Sequence, residues 1–323
     1  MSKFLFFLFI ATLAFIRVDA QNAQQHTHFM FNQLVYNPAY AGYHNSVHIN
    51  ALYRQQWTGI EGAPALLTFS AHSPLNVGNS NAGFFIANDV MGAQRTTHIH
   101  LAYAYRKILN FGNISFGLSA GLFQHRLDGS MLRAPQGNYE SSVNHNDDYL
   151  PNSQVSALAP EVNTGIYLTV KSLQVGVSAN NIIGSKTLFN NPNTDTRISF
   201  ARYYTTSLMY FQQLGKKFTL IPSALLKTDF LHYQTDFSLI LQYKDNFYIG
   251  SSFRGNVPES IDAASILLGV IVFKNLRIGY SYDISLSALN NVNNGSHEIF
   301  AGYRISLKDI VKPGKAIYNP RFL

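Results

Sequence analysis

The sequence predicts an all-β fold, a transmembrane antiparallel β-barrel of about 14 strands with short periplasmic turns and long extracellular loops. Three observations predict it: many short segments alternate apolar with polar residues, charge is scarce, and the connections alternate between short and long. Of the 323 residues, 46% are apolar and only 13% are charged, whereas an ordinary soluble domain is about 25% charged. A barrel accounts for this composition because its lipid-facing residues occupy every second position and its wet interior requires polar groups more than charges.

The first 20 residues predict a cleaved signal peptide. Lys3 precedes an apolar run over residues 4–16, and Val18-Asp19-Ala20 forms a small-residue cleavage site before Gln21. A transmembrane anchor is the alternative, but the run is shorter than the roughly 20 residues that a spanning helix needs. The chain has no cysteine, so it contains neither a lipid-attachment cysteine nor a disulfide framework. We therefore expect a protein that is exported to the bacterial outer membrane and is held together by hydrogen bonds and burial.

The first and last alternating segments set the boundaries of the predicted barrel. Residues 21–45 form a predicted N-terminal periplasmic segment, residues 46–307 the outer-membrane barrel, and residues 308–323 a C-terminal periplasmic tail. A period of two places apolar and polar side chains on opposite faces of a strand, which predicts lipid on one side and water on the other. Fourteen such segments begin near Ser46, Pro64, Asn81, Thr96, Asn113, Glu161, Ser172, Arg202, Lys217, Gln234, Phe247, Asp262, Leu276 and Ser296.

Two segments alternate most clearly, two others repeat the pattern, and the apolar members of each are expected to face lipid. These members are Ile114, Phe116, Leu118, Ala120 and Leu122; Leu173, Val175, Val177 and Ala179; Thr235, Phe237, Leu239, Leu241 and Tyr243; and Leu276, Ile278, Tyr280 and Tyr282. The segments that begin at Asn81 and Asp262 are apolar on both faces, so either could face a protein plug or pack inside. Strand counts of twelve and sixteen therefore stay open beside the count of fourteen.

The connections carry an independent signal. If both termini are periplasmic, loops after odd-numbered strands face outward and turns after even-numbered strands face the periplasm. Tight turns at 109–112, 214–216, 244–246 and 274–275 follow even strands, and long polar stretches at 126–160, 181–201 and 284–295 follow odd ones. A secreted soluble β-sandwich, the third interpretation, has no reason to sort its loops in this way.

No enzyme, cofactor or metal site is predicted. Gly117-Leu118-Ser119-Ala120-Gly121 matches the Gly-x-Ser-x-Gly pattern, but it lies inside an alternating segment, so strand periodicity accounts for it and it is not the strand-to-helix turn of a nucleophile elbow. His98 and His100 share one strand face, but two ligands do not make a site, and neither a cysteine nor an acidic residue stands at matching spacing. We therefore interpret them as solvated histidines of the lumen. Nucleic-acid binding is also not predicted, because the net charge of +7 is scattered through strands and turns.

Several motifs occur in a fixed order from about residue 26 to the last residue. The N-terminal segment contains Tyr36-Asn37-Pro38-Ala39-Tyr40-Ala41-Gly42, and Ala51-Leu52-Tyr53-Arg54-Gln55-Gln56-Trp57 follows in the first strand. Later pieces include Ala102-Tyr103-Ala104-Tyr105-Arg106, Pro222-Ser223-Ala224-Leu225-Leu226-Lys227 and Asn319-Pro320-Arg321-Phe322. Together they resemble the PorP/SprF family of outer-membrane proteins of the type IX secretion and gliding system. His26-Thr27-His28 departs from the family pattern, which usually has an acidic residue ahead of this motif.

The resemblance implies a non-enzymatic accessory that supports secretion or surface anchoring of an adhesin-like partner carrying a type IX C-terminal signal domain. A general diffusion channel is the alternative. The long loops offer the largest surface for a partner, although they could instead be mobile caps over a pore; the candidate residues are Arg133, Tyr139, Tyr149, Leu188, Phe189 and Leu289. Candidates for contact with periplasmic secretion components, or for simple tethering of the chain ends, are Tyr36, Pro38, Tyr40, Tyr318, Pro320 and Phe322.

Overall fold

The computed structural model describes residues 24–75, 77–140, 142–147, 149–184, 186–190, 195–244, 246–257 and 260–307. The predicted signal peptide and the C-terminal tail, with Tyr318, Pro320 and Phe322, lie outside the described residues. No helix in the described ranges is long and apolar enough to cross a membrane.

The alternating segments form fourteen long strands. They are β1 (Ser46–Gln55), β2 (Ala65–Pro74), β3 (Ser80–Met91), β4 (Gln94–Leu109), β5 (Gly112–Asp128), β6 (Gln154–Val170), β7 (Leu173–Asn180), β8 (Tyr203–Tyr210), β9 (Phe218–Thr228), β10 (Tyr233–Tyr243), β11 (Phe247–Val257), β12 (Ser260–Val272), β13 (Leu276–Ser285) and β14 (Ser296–Ser306). A short strand, Gln212–Leu214, continues β8 beyond Phe211 and also pairs with β9.

These strands close into one barrel. Each strand pairs antiparallel with its neighbours in sequence, and β14 returns to β1, where Ser306 stands opposite Ser46. Closure leaves no row of unpaired backbone groups, which a lipid environment would not tolerate. The predicted antiparallel barrel of about 14 strands is therefore confirmed.

Successive side chains along each strand point to opposite faces of the barrel wall, as the sequence predicts. On β5 Leu118 is 53% exposed and its neighbour Ser119 is buried; on β10 Phe237 is 55% exposed and its neighbour Asp236 is buried. The same sorting holds on β7 and β13. The apolar belt therefore faces outward and the polar positions face the lumen.

The connections fall at two ends that differ in length. Turns after even strands span residues 75–79, 110–111, 171–172, 215–217, 244–246 and 273–275, and we call this the short-turn end. The opposite, long-loop end carries residues 56–64, 129–153, 181–202, 229–232 and 286–295. The predicted parity is confirmed in part: among the connections after odd strands, those between β3 and β4 and between β11 and β12 have only two residues, and that between β9 and β10 has four. β6 begins at Gln154 rather than near Glu161, so the longest loop is shorter than the sequence indicates.

The lumen is filled by residues 24–43, which we call the plug. They form three short 3-10 turns, Phe29–Phe31, Gln33–Val35 and Pro38–Tyr40, and nearly all of their side chains are buried. This differs from the expected periplasmic segment at 21–45. The physical reason is that β3 and β12, which are apolar on both faces, need cover on their inward side: Leu267 belongs to one buried apolar cluster with Phe29 and Met30. The sequence left open whether these strands face a plug, and they do.

Candidate functional site

The plug runs along the lumen from one end of the barrel to the other. At the long-loop end, the Gln25 side chain accepts a hydrogen bond from Gln56 at 2.8 Å. At the short-turn end, the ring of His44 stacks on that of His48 near the start of β1. The chain therefore traverses the barrel before it enters the wall, and whatever holds the plug decides whether the lumen is closed.

Six charged side chains from six different strands meet in the lumen, and we call them the latch. Each is at most 3% exposed; the members are Arg54, Lys227, Asp236, Arg254, Asp283 and Glu298. Three are cationic and three anionic, so the charges balance. Arg54 lies 2.6 Å from Asp283, and Arg254 lies 2.5 Å from Asp236 and 3.4 Å from Asp283. Charges removed from water are tolerated only when they are paired in this manner.

Side chains of the latch form hydrogen bonds with the first residues of the plug. The Glu298 carboxylate accepts hydrogen bonds from the backbone N–H groups of Thr27 at 2.8 Å and His28 at 2.7 Å, and lies 2.7 Å from His28 Nδ1. The Thr27 hydroxyl donates to Asp283 at 3.1 Å. Lys227 Nζ donates to the carbonyl of Gln24 at 2.8 Å. The wall thus provides fixed charges for backbone groups that would otherwise be buried without partners.

His26 is enclosed between the latch and the rest of the plug. Its Nδ1 lies 2.5 Å from the Tyr36 hydroxyl and its Nε2 3.1 Å from the Thr68 hydroxyl. Burial lowers the pKa of His26 to about 3, because a charged imidazole would lose its hydration there. The ring is therefore neutral at physiological pH and joins Tyr36 to β2 by hydrogen bonds.

The Tyr-Asn-Pro motif docks on the inner wall where glycines leave room. Asn37 caps the third 3-10 turn by accepting from Ala39 N–H, and its amide donates to the carbonyls of Ile166 and Val177 at 3.0 and 3.2 Å. Gly165, beside Ile166 on β6, is required here, because a Cβ at this position would overlap the Asn37 side chain. The motif is therefore fitted into the β6–β7 wall.

The predicted periplasmic-contact candidates Tyr36, Pro38 and Tyr40 lie inside the barrel in this structure. All three are buried, and the carbonyl of Tyr36 accepts hydrogen bonds from the hydroxyls of Ser178 and Thr205 at 2.7 and 3.2 Å. This differs from the expected exposure to the periplasm. Alternation analysis did not reveal it because the motif lies outside the alternating segments; the inward-facing glycines opposite it are the signal in the sequence.

The plug lies between two cavities. The larger, of about 330 Å³, opens toward the long-loop end and is bounded by Gln24, Gln25 and Val35 of the plug. The smaller, of about 210 Å³, lies toward the short-turn end and is bounded by Phe31 and His44 together with wall residues. The lumen is thus divided into two vestibules.

The predicted partner-binding candidates all lie at the long-loop end, in three separate loops. Arg133 and Tyr139 are brought together, with the guanidinium 4.6 Å from the ring centre, and Tyr149 is 69% exposed in the same loop. Leu289 lies in a 3-10 turn, Ala288–Asn291. Leu188 and Phe189 lie on a short hairpin in which Lys186–Asn190 pairs with Asp195–Ser199. Partner binding stays a prediction for all six candidates.

Sequence reasoning missed the latch. Its members occupy inward-facing positions of strands, such as Asp236 between lipid-facing Thr235 and Phe237. Only 13% of the residues are charged. Ionisable groups of both signs on the inward face of several strands therefore indicate that the barrel binds something inside its lumen. Which of them pair could not be inferred, because partners such as Arg54 and Asp283 are 229 residues apart.

A family model for the type IX secretion system membrane protein PorP/SprF matches residues 18–303 of the chain. No curated protein matches it in sequence. Among solved structures, the chain is similar to the toluene transporter TbuX of Ralstonia pickettii, with 9% identity, a TM-score of 0.50, and coverage of 84% of this chain and 92% of that one. It is also similar to Omp33 of Acinetobacter baumannii, with 8% identity, a TM-score of 0.48, and coverage of 82% and 100%. At such low identity, the likeness to TbuX speaks for the barrel fold alone.

Proposed function

Because this chain belongs to the PorP/SprF family of type IX secretion system membrane proteins, we propose that it is a closed outer-membrane anchor for a secreted partner. In this proposal the partner is adhesin-like and carries a type IX C-terminal signal domain, and the barrel supports its secretion or its attachment to the cell surface. The family and the barrel fold support an outer-membrane location. The proposed role is non-enzymatic.

The observation that carries the proposal is the plug held by the latch. A diffusion channel needs a water-filled path, whereas this lumen is crossed by 20 residues, 24–43, that are bonded to the wall through buried charges. A barrel closed in this way serves better as a rigid platform than as a pore.

The long-loop end supports the choice of an anchoring surface. Its loops at 129–153, 181–202 and 286–295 are the longest connections, and exposed apolar side chains such as Tyr149 and Val292 stand on two of them. Standard protein interfaces bury about 800 Å² on each partner, an area that only a surface spanning several loops can supply. In our proposal this end faces the cell exterior, and the periplasmic components of the secretion system meet the other end.

Affinity capture from detergent-solubilised membranes tests the partner. We expect the wild-type protein to recover a protein with a type IX C-terminal signal domain, and Tyr149→Ser to reduce that recovery several-fold. Phe273→Ser is the matched control, because Phe273 is an aromatic residue that is 89% exposed at the short-turn end. Full surface display of the adhesin in a strain that lacks this barrel would contradict the proposal.

Planar-bilayer recording distinguishes the proposed closed anchor from the alternative, a general diffusion channel. We expect the purified wild-type protein to be electrically silent and a variant that lacks residues 24–43 to conduct, provided that its folded, heat-modifiable migration on a denaturing gel is kept. A stable open conductance of the wild-type protein would favour the channel.

A further inference from the structure

Two histidines and one glutamate meet in the wall of the larger cavity, at the long-loop end. His98 and His100 lie on β4 and Glu161 on β6. One carboxylate oxygen of Glu161 lies 2.8 Å from His98 Nδ1 and 3.0 Å from His100 Nε2, and the three donor atoms lie within 4.8 Å of one another. We propose that these three residues bind one divalent transition-metal ion of the zinc type.

A glycine on the intervening strand allows the side chain of His100 to contact that of Glu161. β4 and β6 are not neighbours; in the register of the sheet, His100 stands opposite Gly121 of β5, and Gly121 stands opposite Glu161. A Cβ at Gly121 would come within 2.7 Å of the His100 ring. Because Gly121 has no side chain, the imidazole lies across β5 and reaches a carboxylate two strands away.

The donor set suits a borderline metal ion. Imidazole nitrogen and carboxylate oxygen are common zinc ligands, and three protein ligands leave a fourth position for water or another donor. In a tetrahedral site with metal–ligand distances near 2.0–2.1 Å, donor atoms lie about 3.3 Å apart. The two histidine–carboxylate separations of 2.8 and 3.0 Å need to widen by a few tenths of an ångström, and the two imidazole nitrogens, which lie within 4.8 Å of each other, need to reach the same spacing.

The two rings are held in place by their surroundings. His100 stacks on Phe85 with ring centres 4.6 Å apart, and His98 stacks on Phe123 at 5.7 Å. The second nitrogen of His100 lies 3.4 Å from the side-chain amide nitrogen of Asn163 and 3.5 Å from the Ser119 hydroxyl, polar groups that fix the orientation of the ring. Such positioning reduces the entropy that ligand side chains lose on metal binding.

The site opens toward the cavity. The side chain of His98 is 24% exposed and that of Glu161 is 6% exposed, and both line the larger cavity, whereas His100 is fully enclosed. The ion is therefore reached from the long-loop end, and its fourth position points to the space beneath the loops.

Metal analysis of the purified full-length barrel in detergent tests the site. After incubation with Zn²⁺ and desalting, we expect about one zinc per wild-type chain, and at least tenfold weaker binding for His100→Gln and for Glu161→Gln. His232→Gln is the matched control: His232 is exposed and lies 3.2 Å from the carboxylate of Asp229, but this pair has no third ligand among the residues that the structure describes. We expect it to bind zinc as the wild type does.

Two further measurements keep the test decisive. Heat-modifiable migration verifies that each variant is folded, and Zn²⁺ is expected to raise the unfolding temperature of the wild-type barrel in a way that a chelator reverses. Cobalt substitution should produce the visible absorption of a low-coordinate site in the wild type and not in His98→Gln. Wild-type protein that retains no zinc, or folded variants that bind it as tightly as wild type, would overturn the proposal.

Discussion

His26 illustrates, at the scale of one residue, how burial sets the chemistry of a side chain. The ring is enclosed by Tyr36 and Thr68, and the charges of Glu298, Lys227, Arg54 and Arg254 also act on it. The loss of hydration dominates, so the pKa falls from its ordinary 6.5 to about 3 in the folded protein. In the unfolded chain the same ring takes up a proton near pH 6.5.

This difference predicts a pH-dependent stability. Because the unfolded state binds the proton more tightly, the contribution of His26 is fully present above pH 6.5 and is lost as the pH falls toward 3. The wild-type barrel should therefore lose about 2 kcal/mol more than His26→Gln between pH 7 and pH 5. Denaturant unfolding in detergent, followed by gel migration, measures this, and equal pH dependence in the two proteins would contradict it.

Glu161 marks the limit of sequence inference at single residues. The i, i+2 spacing of His98 and His100 predicts a shared face, and both do contact one partner, Glu161. The prediction that both are solvated is wrong for His100, which is fully buried because its ring packs across β5 against Glu161. That partner could not be chosen from the sequence, because it lies 61 residues beyond His100 and two strands away. Its contact with His100 depends on Gly121, whose significance appears only once the register is known.

At the scale of elements, the latch joins the plug to six strands of the wall. Within the latch, Glu298 accepts from Thr27, His28 and Arg54. A neutral amide cannot offer the same two charged acceptor oxygens, and it leaves buried cationic and N–H groups poorly compensated. Loss of one partner from a buried ion pair typically costs about 3–5 kcal/mol.

We therefore expect Glu298→Gln to lower the free energy of unfolding by about 3 kcal/mol or more. Glu61→Gln is the matched control, because Glu61 is exposed in the loop between β1 and β2 and should change stability by less than about 0.5 kcal/mol. Denaturant midpoints in detergent provide the comparison. A Glu298→Gln barrel as stable as the Glu61→Gln barrel would mean that the latch does not hold the plug.

Strands were the most predictable elements. Thirteen of the fourteen predicted starts lie within two residues of the observed ones, because a lipid-facing strand must alternate and a turn must interrupt it. The exception is β6, which begins at Gln154 although the sequence indicates Glu161. Residues 154–160 contain Ser156 and Pro160, which are typical of a loop; here pairing with β5 from Asp128 to Leu122 keeps them extended.

At the scale of the whole molecule, the orientation of the barrel is the main consequence of the loop lengths. In our proposal the long-loop end faces outward. The chain contains no cysteine, so an introduced cysteine is the only thiol in the protein. Met131 is 56% exposed in the longest loop, and Phe273 is exposed at the short-turn end.

We predict that a membrane-impermeant maleimide labels Met131→Cys in intact cells and labels Phe273→Cys only after the outer membrane is permeabilised. The two variants differ in the end of the barrel that carries the thiol, and each serves as the control for the other. Labelling of Phe273→Cys alone in intact cells would reverse the orientation and would remove the long loops from the cell surface.

The sequence by itself determined the β-barrel, the approximate starts of most of its strands, its lipid-facing positions and the difference between its two ends. These properties follow from local alternation and turn chemistry, which each segment carries alone. Only the tertiary structure decided that residues 24–43 fill the lumen, that six distant charges hold them, and that Glu161 joins two histidines across Gly121. Such contacts depend on which inward-facing residues meet across a closed barrel, and the register and closure that decide this involve the whole chain.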